Sequence, residues 1–176
     1  MKMKKNTFRI PIGFTAALVF LLRAEPVLWS FIAGLIFMVF GEAIRFTSAG
    51  TLIKYEGVTR SGIYGYIRNP LYTGSFLLGL GACFMGRDIL FTAFFLIAFP
   101  AIYLQTIKRE EKSLHERYGK EYELYFQEVP RFWPGKINMS EIAKESSLFL
   151  AVKNGEYRAV LGIAAILVVM ALKMVF

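Results

Sequence analysis

The chain has one cysteine, one histidine and few charges among its 176 residues. With Cys83 alone no disulfide framework can form, and its thiol reads as a small apolar residue. His115 stands on a charged stretch without Cys or Asp companions, so it is read as a solvated side chain and no metal site is expected. Charged residues make up 19%, against roughly one quarter in a soluble domain. No strand–glycine-rich turn–helix unit is present to hold a nucleotide. What the chain does have is apolar bulk: 56% hydrophobic and 16% aromatic residues, with a mean hydropathy of +0.47. That much apolar surface excludes disorder. The net charge of +8 reads as loops facing anionic lipid and not as a nucleic-acid surface. The composition is that of an all-α integral membrane protein.

Uncharged runs place the spans. Residues 10–22, 71–86, 89–107 and 159–172 carry no charge, and 27–44 carries only Glu42. They predict five membrane helices in a single membrane domain, at about 10–22, 27–47, 71–86, 89–107 and 159–176. The first and last runs are shorter than the roughly 20 residues of a perpendicular crossing, and flanking Arg9, Arg23 and Lys173 are long enough to extend them by snorkelling. The basic start and short apolar run also fit a signal peptide. However, Leu22-Arg23-Ala24 offers no small-x-small cleavage site, so this run is expected to remain as the first helix.

Every Lys and Arg except Arg23, Arg87 and Lys173 falls before the first helix, between the second and third, or after the fourth. Lys2, Lys4, Lys5, Arg9, Arg45, Lys54, Arg60 and Arg68 belong to the first two groups. The asymmetry puts the amino terminus and segments 48–70 and 108–158 in the cytoplasm, which in a bacterium means the inner membrane. Arg23-Ala24-Glu25-Pro26 and Gly86-Arg87-Asp88 are tight turns on the other side, so the helices they join are antiparallel neighbours.

Any chemistry therefore belongs to the two cytoplasmic segments. Lys108–Arg117 is strongly helix-forming, Gly119 marks a break, and a second helix is expected from about Lys120 to Glu128. Two prolines then exclude helix from Val129-Pro130-Arg131-Phe132-Trp133-Pro134. Were the helix to continue through Gly119, Glu111, Leu114, Tyr118, Tyr122 and Tyr125 would form one stripe. That stripe fits an interfacial helix with tyrosines at headgroup level. The sharper reading is a pocket wall, with tyrosine faces for a cation and a carboxylate for hydroxyl or ammonium groups. Before the third helix, Asn69-Pro70 starts a turn whose free backbone N–H groups suit an anion, or simply seat the helix with Arg68 at the lipid interface. Glu42 and Arg45 stand three apart near the inner end of the second helix and are expected to pair with each other.

The run Arg68-Asn69-Pro70-Leu71-Tyr72-Thr73-Gly74 resembles the Arg-His-Pro-x-Tyr-x-Gly signature of the isoprenylcysteine carboxyl methyltransferase family. Glu110-Glu111-x-x-Leu114-x-x-x-Tyr118-Gly119-x-Glu121-Tyr122-x-x-Tyr125-x-x-x-Val129-Pro130-Arg131-Phe132-x-Pro134 resembles its second signature. The two stand in the family's order, one before a helical hairpin and one after it. The resemblance covers about residues 41–134, with a weaker match at 41–49.

It implies an integral membrane methyltransferase that uses S-adenosylmethionine, with Tyr64, Arg68, Asn69, Pro70, Tyr72 and Gly74 against the cofactor. Glu110 or Glu111 would lie near its ribose or amino-acid part, and Tyr118, Tyr122 and Tyr125 would line the wall. Arg131 is the candidate for orienting an anionic acceptor, and Glu111 the nearby base an amine acceptor would need. The family's His is Asn69 here, which keeps hydrogen-bonding capacity but carries no proton near neutral pH. Acceptors that suit this family's fold are prenylated-protein carboxylates, phosphatidylethanolamine amines, isoprenoid or quinone-like lipids and small thiols, reached sideways through the bilayer. Sterol and steroid reductases, which use NADPH, are similar in the same region but are larger; the Glu110-Glu111 pair favours the methyltransferase. A non-catalytic membrane adaptor of the same fold is the third reading.

Overall fold

The computed structural model describes residues 9–53, 57–135 and 137–175, and every regular element among them is helical. Lys2, Lys4, Lys5 and Lys54, on which the charge argument draws, lie outside the described residues, as do Lys136 and Phe176. The helices are α1 (Arg9–Arg23), α2 (Leu28–Thr51), α3 (Pro70–Gly86), α4 (Ile89–Tyr118), α5 (Lys120–Glu128), α6 (Met139–Lys144), α7 (Leu148–Lys153) and α8 (Tyr157–Val175), with a 3₁₀ turn at Gly62–Gly65. Three of them, α2, α4 and α8, are long and apolar enough to cross a membrane. The first and third expected spans correspond to the shorter helices α1 and α3, of 15 and 17 described residues.

The largest departure from the expected boundaries is α4, which runs on past residue 107 to Tyr118 as one helix of 30 residues. Lys, Arg, Glu and Leu dominate its last three turns, and nothing in them stops a helix before Gly119. The helix thus carries Glu110 and Glu111 from the apolar bundle directly into the polar end.

Two glycine pairs bring α2 and α3 together. A Cβ on Gly34 would lie 2.4 Å from the Gly81 carbonyl oxygen, and one on Gly74 would lie 2.5 Å from that of Gly41. The spacing is seven residues on each helix, so both contacts fall on one antiparallel seam, as small residues permit in lipid. On the other side of α3 the seam is aromatic. Phe76 stacks on Phe95 at 5.6 Å between ring centroids, and Tyr72 meets Tyr103 at 5.4 Å. Phe20, Met38, Met85 and Met170 form a buried core shared by α1, α2, α3 and α8.

Charged groups separate to the two ends. At one end Arg23 pairs with Asp88, the Lys173 ammonium donates to the Leu21 carbonyl at 2.8 Å, and Arg87 lies over Trp29. The opposite end gathers the 3₁₀ turn, α5, α6 and α7. Ser147 N–H donates to the Gly50 carbonyl at 2.9 Å, and the Asn154 amide donates to the carbonyls of Ala49 and Leu52. These bonds tie the α6–α8 segment beneath the last turn of α2.

Candidate functional site

Two stretches that proline keeps out of helices lie side by side at the polar end. Arg68 N–H donates to the Pro130 carbonyl at 2.9 Å, and Asn69 N–H to the Arg131 carbonyl at 3.3 Å. Pro130 has no N–H to offer a helix, and Pro70 disfavours the helical region for Asn69 while seating itself in the first turn of α3. The Arg68 guanidinium secures the arrangement. It donates to the carbonyls of Val129, at 2.9 Å, and Phe126, and lies 3.9 Å from the centroid of the Phe126 ring.

Glu111 is the buried centre of this end. Arg131 donates to both its oxygens, Nε to Oε1 at 3.1 Å and Nη2 to Oε2 at 2.5 Å. The Asn69 amide donates to Oε1 at 3.2 Å, and Arg68 Nε lies 3.5 Å from the same oxygen. A carboxylate from α4 thereby holds the start of α3 and the segment after α5 in one place. Glu110, its neighbour, is exposed and accepts from the Tyr72 hydroxyl at 2.7 Å.

The tyrosines assemble differently from one continuous stripe. Gly119 adopts φ +52° and ψ −122°, the chain turns there, and α5 starts afresh. Tyr118, Tyr122 and Tyr125 still come together, packed with Val58 and Val129. The Tyr125 hydroxyl donates to the Tyr64 carbonyl at 2.8 Å, tying α5 to the 3₁₀ turn. Burial first, and the nearby Glu111 charge second, push the Tyr122 phenol up to about 12. Burial raises Tyr64 and Tyr125 further still.

These pieces enclose a cavity of about 700 Å³. Of the residues expected at a cofactor site, Tyr64, Arg68, Asn69, Pro70, Tyr72, Glu110, Glu111, Tyr118, Tyr122 and Tyr125 line it. Gly74 does not. It lies on the α2 seam, where any side chain would strike Gly41 and Arg45. Arg131 does not line the cavity either, because both ends of its guanidinium are committed to Glu111. Its guanidinium fixes Glu111, whose Oε1 also accepts from the Asn69 amide.

Ser75, Asn154 and Glu156, which the sequence reading did not single out, form a second polar wall with Arg45. Arg45 and Glu42 do approach each other, at 3.9 Å, but the nearer partner of Arg45 is Glu156 at 2.7 Å. A contact across that much of the chain leaves no local spacing to read. His115 faces Glu123 at 3.3 Å on the surface of the α4–α5 elbow.

The profile of the family described as phospholipid methyltransferase matches residues 14–121, well over half of the chain. The chain belongs to the phospholipid methyltransferase family. Among curated proteins it is similar to protein-S-isoprenylcysteine O-methyltransferase of Schizosaccharomyces pombe, 30% identical over 90 residues, covering 51% of this chain and 38% of the relative. The human protein of the same name is 26% identical over 135 residues, 70% of this chain and 48% of the relative. A probable protein-S-isoprenylcysteine O-methyltransferase of Oryza sativa subsp. indica is 30% identical over 108 residues, 54% of this chain and 56% of the relative. The chain thus spans about half the length of the curated relatives it matches. No solved structure matches it. The family membership agrees with the resemblance carried by the two signature runs.

Proposed function

We propose that the protein is an S-adenosylmethionine-dependent methyltransferase acting on a lipophilic or lipidated acceptor at the cytoplasmic face of a membrane. The observation that carries the reading is the cavity itself. It lies between the two signature runs and combines tyrosine rings, an exposed carboxylate and a buried, fully paired one.

The donor set fits the cofactor chemically. A sulfonium and an ammonium are cations that tyrosine faces and Glu110 attract. A ribose diol needs acceptors such as the carboxylates of Glu110 and Glu111. The volume lies within the roughly 300–1,000 Å³ of ordinary small-molecule sites. When bound, S-adenosylmethionine supplies a methyl group already activated for in-line displacement.

The protein's own contribution is then positioning and exclusion of water. Asn69, Pro70 and Tyr72 present the start of α3 to the cofactor, and Tyr64, Tyr118, Tyr122 and Tyr125 form the wall. Glu111, held by Arg131 and Arg68, fixes the two runs against each other and acts as a positioning residue. Asn69 replaces the family His without loss in this scheme, because attack by a carboxylate or thiolate requires no proton transfer. The names of the relatives favour an isoprenylated cysteine carboxylate as acceptor, and the excess of Lys and Arg at the polar end supports its cytoplasmic orientation.

Purified protein should transfer tritiated methyl from S-adenosylmethionine to N-acetyl-S-farnesylcysteine as a base-labile ester. Retention of the label by the donor, with phosphatidylethanolamine vesicles and thiol amphiphiles also tried, would remove the proposal.

A further inference from the structure

The cavity has a second charged wall that the cofactor reading leaves unused. Arg45 reaches it from α2, Ser75 from α3 and Glu156 from the turn before α8. Arg45 Nε donates to Glu156 Oε1 at 2.7 Å and Nη1 to the Ser75 hydroxyl at 2.5 Å. Glu156 is 5% exposed, and among the described residues Arg45 is the one hydrogen-bond partner of its side chain. Leu52, Ile53, Leu71 and Tyr103 supply apolar lining to the same cavity.

Of the other arginines near this end, Arg131 is bound bidentately to Glu111 outside the cavity lining. Arg68 is bound to two main-chain carbonyls as well as lying against Glu111. Both hold the fold together. Arg45 is different: of its two carboxylates, Glu156 at 2.7 Å and Glu42 at 3.9 Å, the nearer and hydrogen-bonded one itself lines the cavity.

We propose that Arg45 and Ser75 form the head-group subsite for an amphiphile bearing a carboxylate, and that Glu156 is a displaceable internal stand-in for that carboxylate. The inference rests on the methyltransferase reading and specifies where its acceptor binds. Exchange of one carboxylate for another keeps the half-buried guanidinium paired throughout, which avoids the large cost of a buried unpaired charge. Glu42, 3.9 Å from Arg45 Nε, remains beside it during the exchange. Glu156 leaves for a tolerable place, since it precedes Tyr157 and stands at the N-terminal end of the α8 dipole. It also lies beyond residues 14–121, so this counter-ion is carried by the part of the chain outside the family match.

The test compares binding of N-acetyl-S-farnesylcysteine with that of its carboxamide, in detergent, for the parent protein and for Arg45→Gln and Glu156→Gln. S-adenosylhomocysteine binding is measured on each in parallel. The parent should prefer the acid to the amide. Arg45→Gln should remove that preference, by about tenfold, and Glu156→Gln should increase it several-fold, with S-adenosylhomocysteine binding kept in both. Should Arg45→Gln not fold, the sign of the Glu156→Gln effect decides alone. Weaker acid binding in Glu156→Gln, or an acid-to-amide ratio unchanged in both variants, overturns the inference even where S-adenosylhomocysteine binds. Absence of S-adenosylhomocysteine binding by the folded parent instead strikes the methyltransferase reading.

Discussion

Arg131 grips Glu111 through two parallel hydrogen bonds, at 3.1 and 2.5 Å, across twenty residues of sequence that include a complete helix. The carboxylate is 7% exposed, and Arg68 and Asn69 close its remaining side. Removing it strands two guanidiniums, one of them almost fully buried. Glu111→Ala should therefore destabilise the protein by about 3 kcal/mol, the lower end for a broken buried ion pair because Arg131 is partly solvated. Thermal unfolding in detergent reads the loss. An unchanged midpoint would show that the cluster does not hold this end together.

Asn69 offers a more discriminating change. Its amide donates to Glu111 in a buried site, so Asn69→His should keep both the donor and S-adenosylhomocysteine binding. Asn69→Asp adds a second carboxylate beside the first and should weaken binding by tenfold or more. Equal affinities for the two variants would show that the side chain at this position does not sense Glu111.

The glycine seam predicts a purely steric effect. Gly74→Ala puts a methyl group within 3 Å of the Gly41 carbonyl and of Arg45 Cγ, so α2 and α3 must separate. The cost should be about 1–3 kcal/mol of stability. Gly119→Ala has open space around it and fails through backbone strain alone, at φ +52°. Thermal unfolding of both should rank Gly74→Ala as the more damaging.

Alkaline titration tests the tyrosine wall. With Tyr122 at about 12 in the fold and near 10 when unfolded, the folded chain holds its proton where the unfolded chain has lost it. Stability from this group is complete below pH 10 and disappears as the pH rises through about 12. Tyr64 and Tyr125 shift in the same direction. Phenolate absorbance should therefore rise in two stages, exposed tyrosines first and the buried set only with unfolding. One smooth transition near pH 10 for all nine tyrosines would contradict the packing.

The sequence made the polar end legible because its signals are local. Gly119 breaks the helix, Pro70 and Pro130 bar helix from the strips that pair, and the tyrosines keep helical spacing on each side of the break. The apolar runs located every long helix, and three of the helices they located are long and apolar enough to cross a membrane. Arg131 was singled out for the acceptor, but a guanidinium's partner depends on which carboxylate the fold brings to it, and here that is Glu111. Gly74 was assigned to the cofactor, and the close approach of α2 to α3 at this position is set by a partner helix that no local spacing reveals. Glu156 was invisible, since its contact with Arg45 spans 111 residues and no periodicity encodes it.

The central claim is that the tyrosine-lined cavity binds a sulfonium nucleoside cofactor. Calorimetric titration of the detergent-purified protein with S-adenosylhomocysteine, and separately with NADPH, tests it most directly. The account predicts saturable binding of S-adenosylhomocysteine, weakened at least tenfold by Glu110→Gln, and no heat from NADPH. Binding of NADPH alone, or of neither ligand by protein whose cooperative unfolding is intact, would contradict it.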